Sequence, residues 1–174
     1  MHLISNLLQR IPRIFSSGTG SAISRLAAPF IRPGISVLIA GAAGNTVVRS
    51  VAALVGETGR IYTLSSGEKV LSNHTGSSGY GYADLEEHPE VPPETVEFCI
   101  CIGRNRTARC REQLFARVHD TLRPAATLLL IVPVMTVRKR LFDQLVAAAE
   151  EEGFIGRAGP HYTGYRTALL VRTC

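Results

Sequence analysis

Apolar positions along the chain follow two alternating rhythms. From residue 35 onward, short runs of consecutive apolar residues, the pattern of strands buried on both faces, alternate with longer stretches whose apolar residues recur three and four apart, the pattern of one helix face. The runs at 35–40 (ISVLIA), 60–64 (RIYTL), 96–102 (VEFCICI) and 127–132 (TLLLIV) predict strands, and 46–55, 109–122 and 137–152 predict the helices between them. The middle is completed by a helix near 68–73, a Gly/Ser-rich stretch at 75–81 and a short strand around Tyr82 and Ala83. After Gly153, residues 154–158 and 167–172 read as two strands joined by a loop containing His161, Tyr162 and Tyr165. Helical crossovers make parallel neighbours and short connections make antiparallel ones, so only the last strand is expected to run against the sheet. The expected architecture is a three-layer α/β/α Rossmann-like sheet, mostly parallel, closed by an antiparallel C-terminal hairpin strand.

The first 34 residues carry a different pattern. Leu3, Ile4, Leu7, Leu8, Ile11, Ile14 and Phe15 form an apolar stripe at helical spacing, interleaved with Arg10 and Arg13 and strained at Pro12. Residues 16–21 (SSGTGS) read as a flexible break, and 22–31 as a second short helix ended by Pro33 and Gly34. The expected organisation is therefore 1–34 as N-terminal helices packing on or capping the rest, and 35–174 as the main domain. Docking of the stripe at 2–15 on a protein partner or a membrane surface is the alternative to packing.

Composition narrows the classes. A chain of 174 residues, 45% hydrophobic and 19% charged, suits one globular domain with a sizeable core. No apolar run approaches the roughly 20 residues needed to span a bilayer. Nineteen Lys and Arg against fourteen Asp and Glu give +5, which permits acidic partners but indicates nucleic acid no further than that charge. Cys99 and Cys101 sit within an apolar run and Cys110 and Cys174 lie apart, without the paired spacing of a zinc site, so no metal is expected. The N-terminus shows neither a long h-region nor a small-residue cleavage pattern, and the expected location is cytoplasmic.

Local sequence adds a resemblance. "VLIAGAAGNTVVRSVAALVGETGRIYTLS" resembles the first strand, glycine turn, helix and second strand of the class I S-adenosylmethionine-dependent methyltransferases. "YADLEE", "VEFCICIG" and "LFARVHDTLRPAATLLLIVP" follow in the family's order, the last resembling its helix, "LKPGG" turn and fifth strand. The collinear set covers residues 35–172. The resemblance implies S-adenosylmethionine as cofactor, with Gly41, Ala43 and Gly44 in the turn that lets backbone approach the ligand, Ser65 at the ribose, Asp84 at the adenine amino group and Cys101 ending the fourth strand.

This chain departs from the family where the family is acidic. The acid expected two places before the first glycine corresponds to Ile39, and the ribose-binding acid after the second strand corresponds to Ser65. Ala43 stands where the family has a second glycine. A carboxylate accepts two charge-assisted hydrogen bonds from a diol while a serine makes weaker neutral ones, so weak cofactor binding is expected. Methyl transfer needs chiefly alignment of a nucleophile, sometimes with a base; His161 and Tyr162 are the weak candidates, while His119 on a helix suits a structural role. Arg104, Asn105 and Arg106 follow the fourth strand as a solvated loop or a contact for an anionic substrate. A nicotinamide-dinucleotide fold fits less well because G-x-G-x-x-G is absent. Two functions follow: a methyltransferase with a small or lipid-like acceptor, or a degenerate, catalytically silent methyltransferase-like domain that binds a partner or another ligand.

Overall fold

Runs of Val, Ile, Leu and Cys with almost no polar interruption build the middle of the sheet, because strands covered on both faces have no solvent side to make polar. The computed structural model describes residues 18–41, 44–64, 70–74, 91–103 and 108–173, without the side chains of 18, 19, 70–74 and 108–111. The strands are β1 (Ser36–Gly41), β2 (Arg60–Leu64), β3 (Val70–His74), β4 (Val96–Ile102), β5 (Leu122–Pro133), β6 (Phe154–Ala158) and β7 (Tyr165–Arg172). The helices are α1 (Gly18–Ala27), α2 (Asn45–Val55), α3 (Ala108–Thr121) and α4 (Lys139–Glu151). One seven-stranded sheet results, in the order β3-β2-β1-β4-β5-β7-β6.

Strand alternation sends neighbouring side chains to opposite faces. Val37 and Ile39 of β1, Phe98 and Ile100 of β4, and Leu129 and Ile131 of β5 pack under α1 and α2. Leu38 and Ala40, Cys99 and Cys101, and Leu128 and Leu130 pack under α3 and α4 with Phe115, Val118 and Leu145. The three-layer α/β/α expectation holds, with the antiparallel closing strand: β7 runs against β5 from Thr127↔Val171 to Pro133↔Tyr165.

Two local expectations are corrected. Residues 70–74, expected within a helix near 68–73, form β3, paired antiparallel to β2 through Thr63↔Leu71 and Leu64↔Val70. Only five residues separate β2 from β3, too few for the crossover a parallel neighbour needs, so β7 is not alone in running against the sheet. The break expected at 16–21 ends earlier, because Gly18 to Ser21 already belong to α1, whose Gly20 lies so close to α2 that an added Cβ would stand 2.6 Å from Thr46 Cγ2. Here tertiary contact overrides the glycines' poor helix propensity. Ile23, Leu26 and Ala27 of α1 are buried. The stripe at 2–15 and the strand expected around Tyr82 and Ala83 lie outside the described residues.

The turn before the long run of β5 holds a non-glycine in left-handed backbone. Arg123 to Ala126 bulge out between the pairs Val96↔Leu122 and Phe98↔Thr127, and Ala125 has φ +62° on an exposed stretch. An L-residue there costs about 1–2 kcal/mol, partly offset on going to glycine by the greater freedom of the unfolded chain. Ala125→Gly is therefore expected to stabilise by about 0.5–1 kcal/mol, read as a higher urea midpoint with unchanged slope.

Candidate functional site

The end of β1 is shaped by a contact only glycine permits. Gly41 has φ +103°, and a Cβ on it would overlap the carbonyl oxygen of its register partner Ile102 at the end of β4. Beyond the turn Gly44 caps α2 with φ −80° and ψ 162°, ordinary extended backbone, and a Cβ there would meet nothing within 4 Å. The site thus has a tight wall at Gly41 and an open face at Gly44. No side chain caps α2. The Gly44 carbonyl takes the amides of Val47 and Val48, at 3.0 and 3.4 Å, and the positive end of the helix lies at that face.

From this edge α2 leaves toward one face of the sheet, while the chain after β4 leads to α3 on the other. That makes the β1/β4 boundary the point where the winding reverses, the place where open α/β sheets leave a crevice beyond their strand ends. Gly103 closes its floor: its amide donates to the carbonyl of Ile131 at 2.9 Å, and a Cβ there would overlap Val132.

Of the residues expected at the cofactor, Gly41 and Gly44 come together at this crevice. Ala43, Ser65 and Asp84 lie outside the described residues, as do Arg104, Asn105 and Arg106. Cys101 is the last residue but one of β4, between Ala40 and Leu130, but it is only 1% exposed and its side chain joins the core under α3 and α4. Ile39 is fully buried on the other face, among Ile23, Leu26 and Val51. Burial, and then the neighbouring Cys101, push the Cys99 thiol well above its usual range, which keeps it protonated and unreactive.

His161 and Tyr162 occupy the β6–β7 loop on the same edge of the sheet. His161 is exposed, and Tyr162 is half-buried with its ring edge-on to Tyr165, centroids 5.9 Å apart. Tyr165 pairs with Pro133 at the end of β5. In the strand order this loop stands three steps from β1, roughly 14 Å away, with Tyr162 and Tyr165 packed against the layer under α1 and α2. His119 is elsewhere: in the last turn of α3, its ring meets Phe154 edge-on at 5.5 Å near the opposite edge, a packing role.

Two features of the rim were not singled out by the sequence. Val134 and Met135, just past β5, are 38% and 86% exposed, and Arg138, Lys139 and Arg140 open α4 with no acid in its first turn. The run "RKR" at a helix start was the available signal, since cations oppose the helix dipole there. Among the described residues no group of three or more His, Cys, Asp or Glu could hold a metal ion, and no helix is long and apolar enough to cross a membrane.

No protein-family model and no curated protein matches the sequence. Solved structures do match it in shape. A SAM-dependent methyltransferase from Aquifex aeolicus superposes with a TM-score of 0.57 at 14% identity, over 86% of this chain and 88% of that one. A TehB-like SAM-dependent methyltransferase from Corynebacterium glutamicum gives 0.57 at 13% identity, over 97% and 96%. The fold is that of the class I methyltransferases. A SAM-dependent O-methyltransferase from Thermotoga maritima shares it too, with a TM-score of 0.54 at 10% identity, over 90% of this chain and 65% of that one. Identities this low carry the class I methyltransferase fold and leave the activity to be argued from the site.

Proposed function

We propose that this chain is an S-adenosylmethionine-dependent methyltransferase with a weakened hold on its cofactor, acting on a small or lipid-like acceptor. The observation that carries the proposal is the pairing of Gly41, packed against the Ile102 carbonyl, with open space at Gly44 where the winding reverses. At Gly41 and Gly44 backbone without a side chain can lie against the methionine and ribose portions of the ligand, and the positive end of α2 favours its carboxylate. The missing acids argue for weak retention rather than exclusion, since Ser65 still offers a hydroxyl.

When bound, S-adenosylmethionine supplies an electrophilic methyl group on a sulfonium. The chain's own task is then to bring an acceptor atom into line with it and keep water out. His161 and Tyr162 stand on the acceptor side as groups able to take up its proton, and residues 1–34 cover the 35–174 domain as its cap. A silent ligand- or partner-binding domain is the second reading, favoured by the burial of Ile39 in the core where the family's acid is expected.

Calorimetric titration with S-adenosylmethionine and S-adenosylhomocysteine separates the two. Weak binding is expected. Ser65→Asp should tighten it about tenfold, the difference between a charge-assisted and a neutral hydrogen bond. Gly44→Val should abolish it without unfolding the chain, because the backbone there is ordinary and the added side chain meets only the ligand's space. A folded Ser65→Asp variant with no measurable binding would sink the methyltransferase and leave the silent domain standing.

A further inference from the structure

The rim beside the crevice carries an apolar tip followed directly by three cations. Met135 is 86% exposed and Val134 38% in the turn after β5, Met135 being the most exposed large apolar side chain among the described residues. The turn is held in shape, not merely displayed: the Val134 amide donates to the carbonyl of Gly164 at 2.9 Å, the Val137 amide to the carbonyl of Pro133 at 3.1 Å, and the Arg166 guanidinium to the Val137 carbonyl at 2.6 Å. Immediately after come exposed Arg138, Lys139 and Arg140. Neither 133–142 nor the facing loop 159–166 contains an acid, and the nearest, Asp143, pairs with Lys139 at 3.0 Å.

Helix α4 is charged backwards. Cations stand at its N-terminal end, where the dipole is already positive, and Glu150, Glu151 and Glu152 at its C-terminal end, where it is negative. Both placements oppose the macrodipole and cost stability, so they call for a source of compensation outside the helix. The result polarises the domain, with the crevice rim positive and the far end of α4 negative. An exposed thioether tip next to a run of cations fits the boundary between anionic headgroups and acyl chains, where the apolar side chain leaves water and the cations meet phosphates. A nucleic acid would use the cations but leave Met135 in water.

We propose that the β5–α4 rim docks on an anionic lipid surface, with Met135 and Val134 entering the interface and Arg138, Lys139 and Arg140 contacting headgroups. Docking does not require methyl transfer; it stands whether or not the crevice holds S-adenosylmethionine.

The test is sedimentation of the full chain with vesicles of phosphatidylcholine alone and of phosphatidylcholine and phosphatidylglycerol in equal parts. Partitioning is expected into the mixed vesicles only, weakening as salt rises. Arg138→Asp combined with Arg140→Glu should lower it at least about tenfold, and Met135→Asp several-fold. Arg138 is the N-cap of α4 without a side-chain cap hydrogen bond, so Arg138→Asp alone should raise the melting temperature while weakening partitioning, which excludes unfolding as the cause. Equal partitioning into both vesicle types, no partitioning at all, or rim variants that partition like the parent because 2–15 act alone would each overturn the proposal. So would retention of an RNA oligonucleotide, sensitive to the same variants, by a chain that leaves vesicles untouched.

Discussion

Ile39→Asp is expected to leave most of the chain unfolded, although it restores the residue type that the methyltransferase resemblance would place there. Ile39 is fully buried in β1, paired with Thr63 on β2 and Ile100 on β4, and it packs among Ile23, Leu26 and Val51 under α1 and α2. Removing its aliphatic side chain costs about 2–5 kcal/mol, and leaving a carboxyl group without a partner in that layer adds a further few kcal/mol. Together these rival the 5–15 kcal/mol by which a domain is ordinarily stable. Circular dichroism during urea titration measures it, with Ile39→Val as control at about 1 kcal/mol. A folded Ile39→Asp chain that bound S-adenosylmethionine more tightly would mean that this side chain reaches the crevice instead of the core.

Gly41→Ala should cost about 3 kcal/mol or more, for two reasons that act together. Its φ of +103° lies in the region L-residues avoid, at about 1–3 kcal/mol, and the new methyl group would overlap the Ile102 carbonyl, forcing β1 and β4 apart where they should stay paired. For a chain of 174 residues that corresponds to a fall in melting temperature of roughly 6–12 °C. Gly44→Ala makes the comparison: with ordinary backbone and space for a Cβ, it should cost under about 1 kcal/mol. Equal losses at the two positions would show that the turn tolerates side chains at β1 and that the glycine is dispensable there.

The sheet was largely legible from sequence because its strands are buried on both faces, and uninterrupted runs such as those at 96–102 and 127–132 have no other economical explanation. β3 was not. Its five residues, Val70 to His74, mix apolar and polar types in a way that also suits a helix turn, and only the short connection from β2 decides the matter. The site was half legible. Gly41 could be named from its place after a strand, but the pattern of letters could not say that its role includes yielding space to the Ile102 carbonyl. Nor could it distinguish an Ile39 that replaces a ligand contact from one that fills a core, since that depends on which face the strand turns toward α1. The cationic start of α4 was visible as letters and acquires meaning only beside an exposed Met135.

The reversed β3 changes where the chain is set down. A parallel third strand would rise toward the crevice and deliver Asp84 to it from the strand's end. β3 instead descends, with His74 opposite Ile61 near the start of β2, and the chain resumes at Val91 just before β4 begins at that same far edge. His74 and Val91 therefore both stand at the foot of the sheet, about 17 Å, the height of a five-residue strand, below the crevice. What is rigidly fixed at the crevice itself is the register of β1 on β4, where hydrogen-bonded strands hold Gly41 against Ile102.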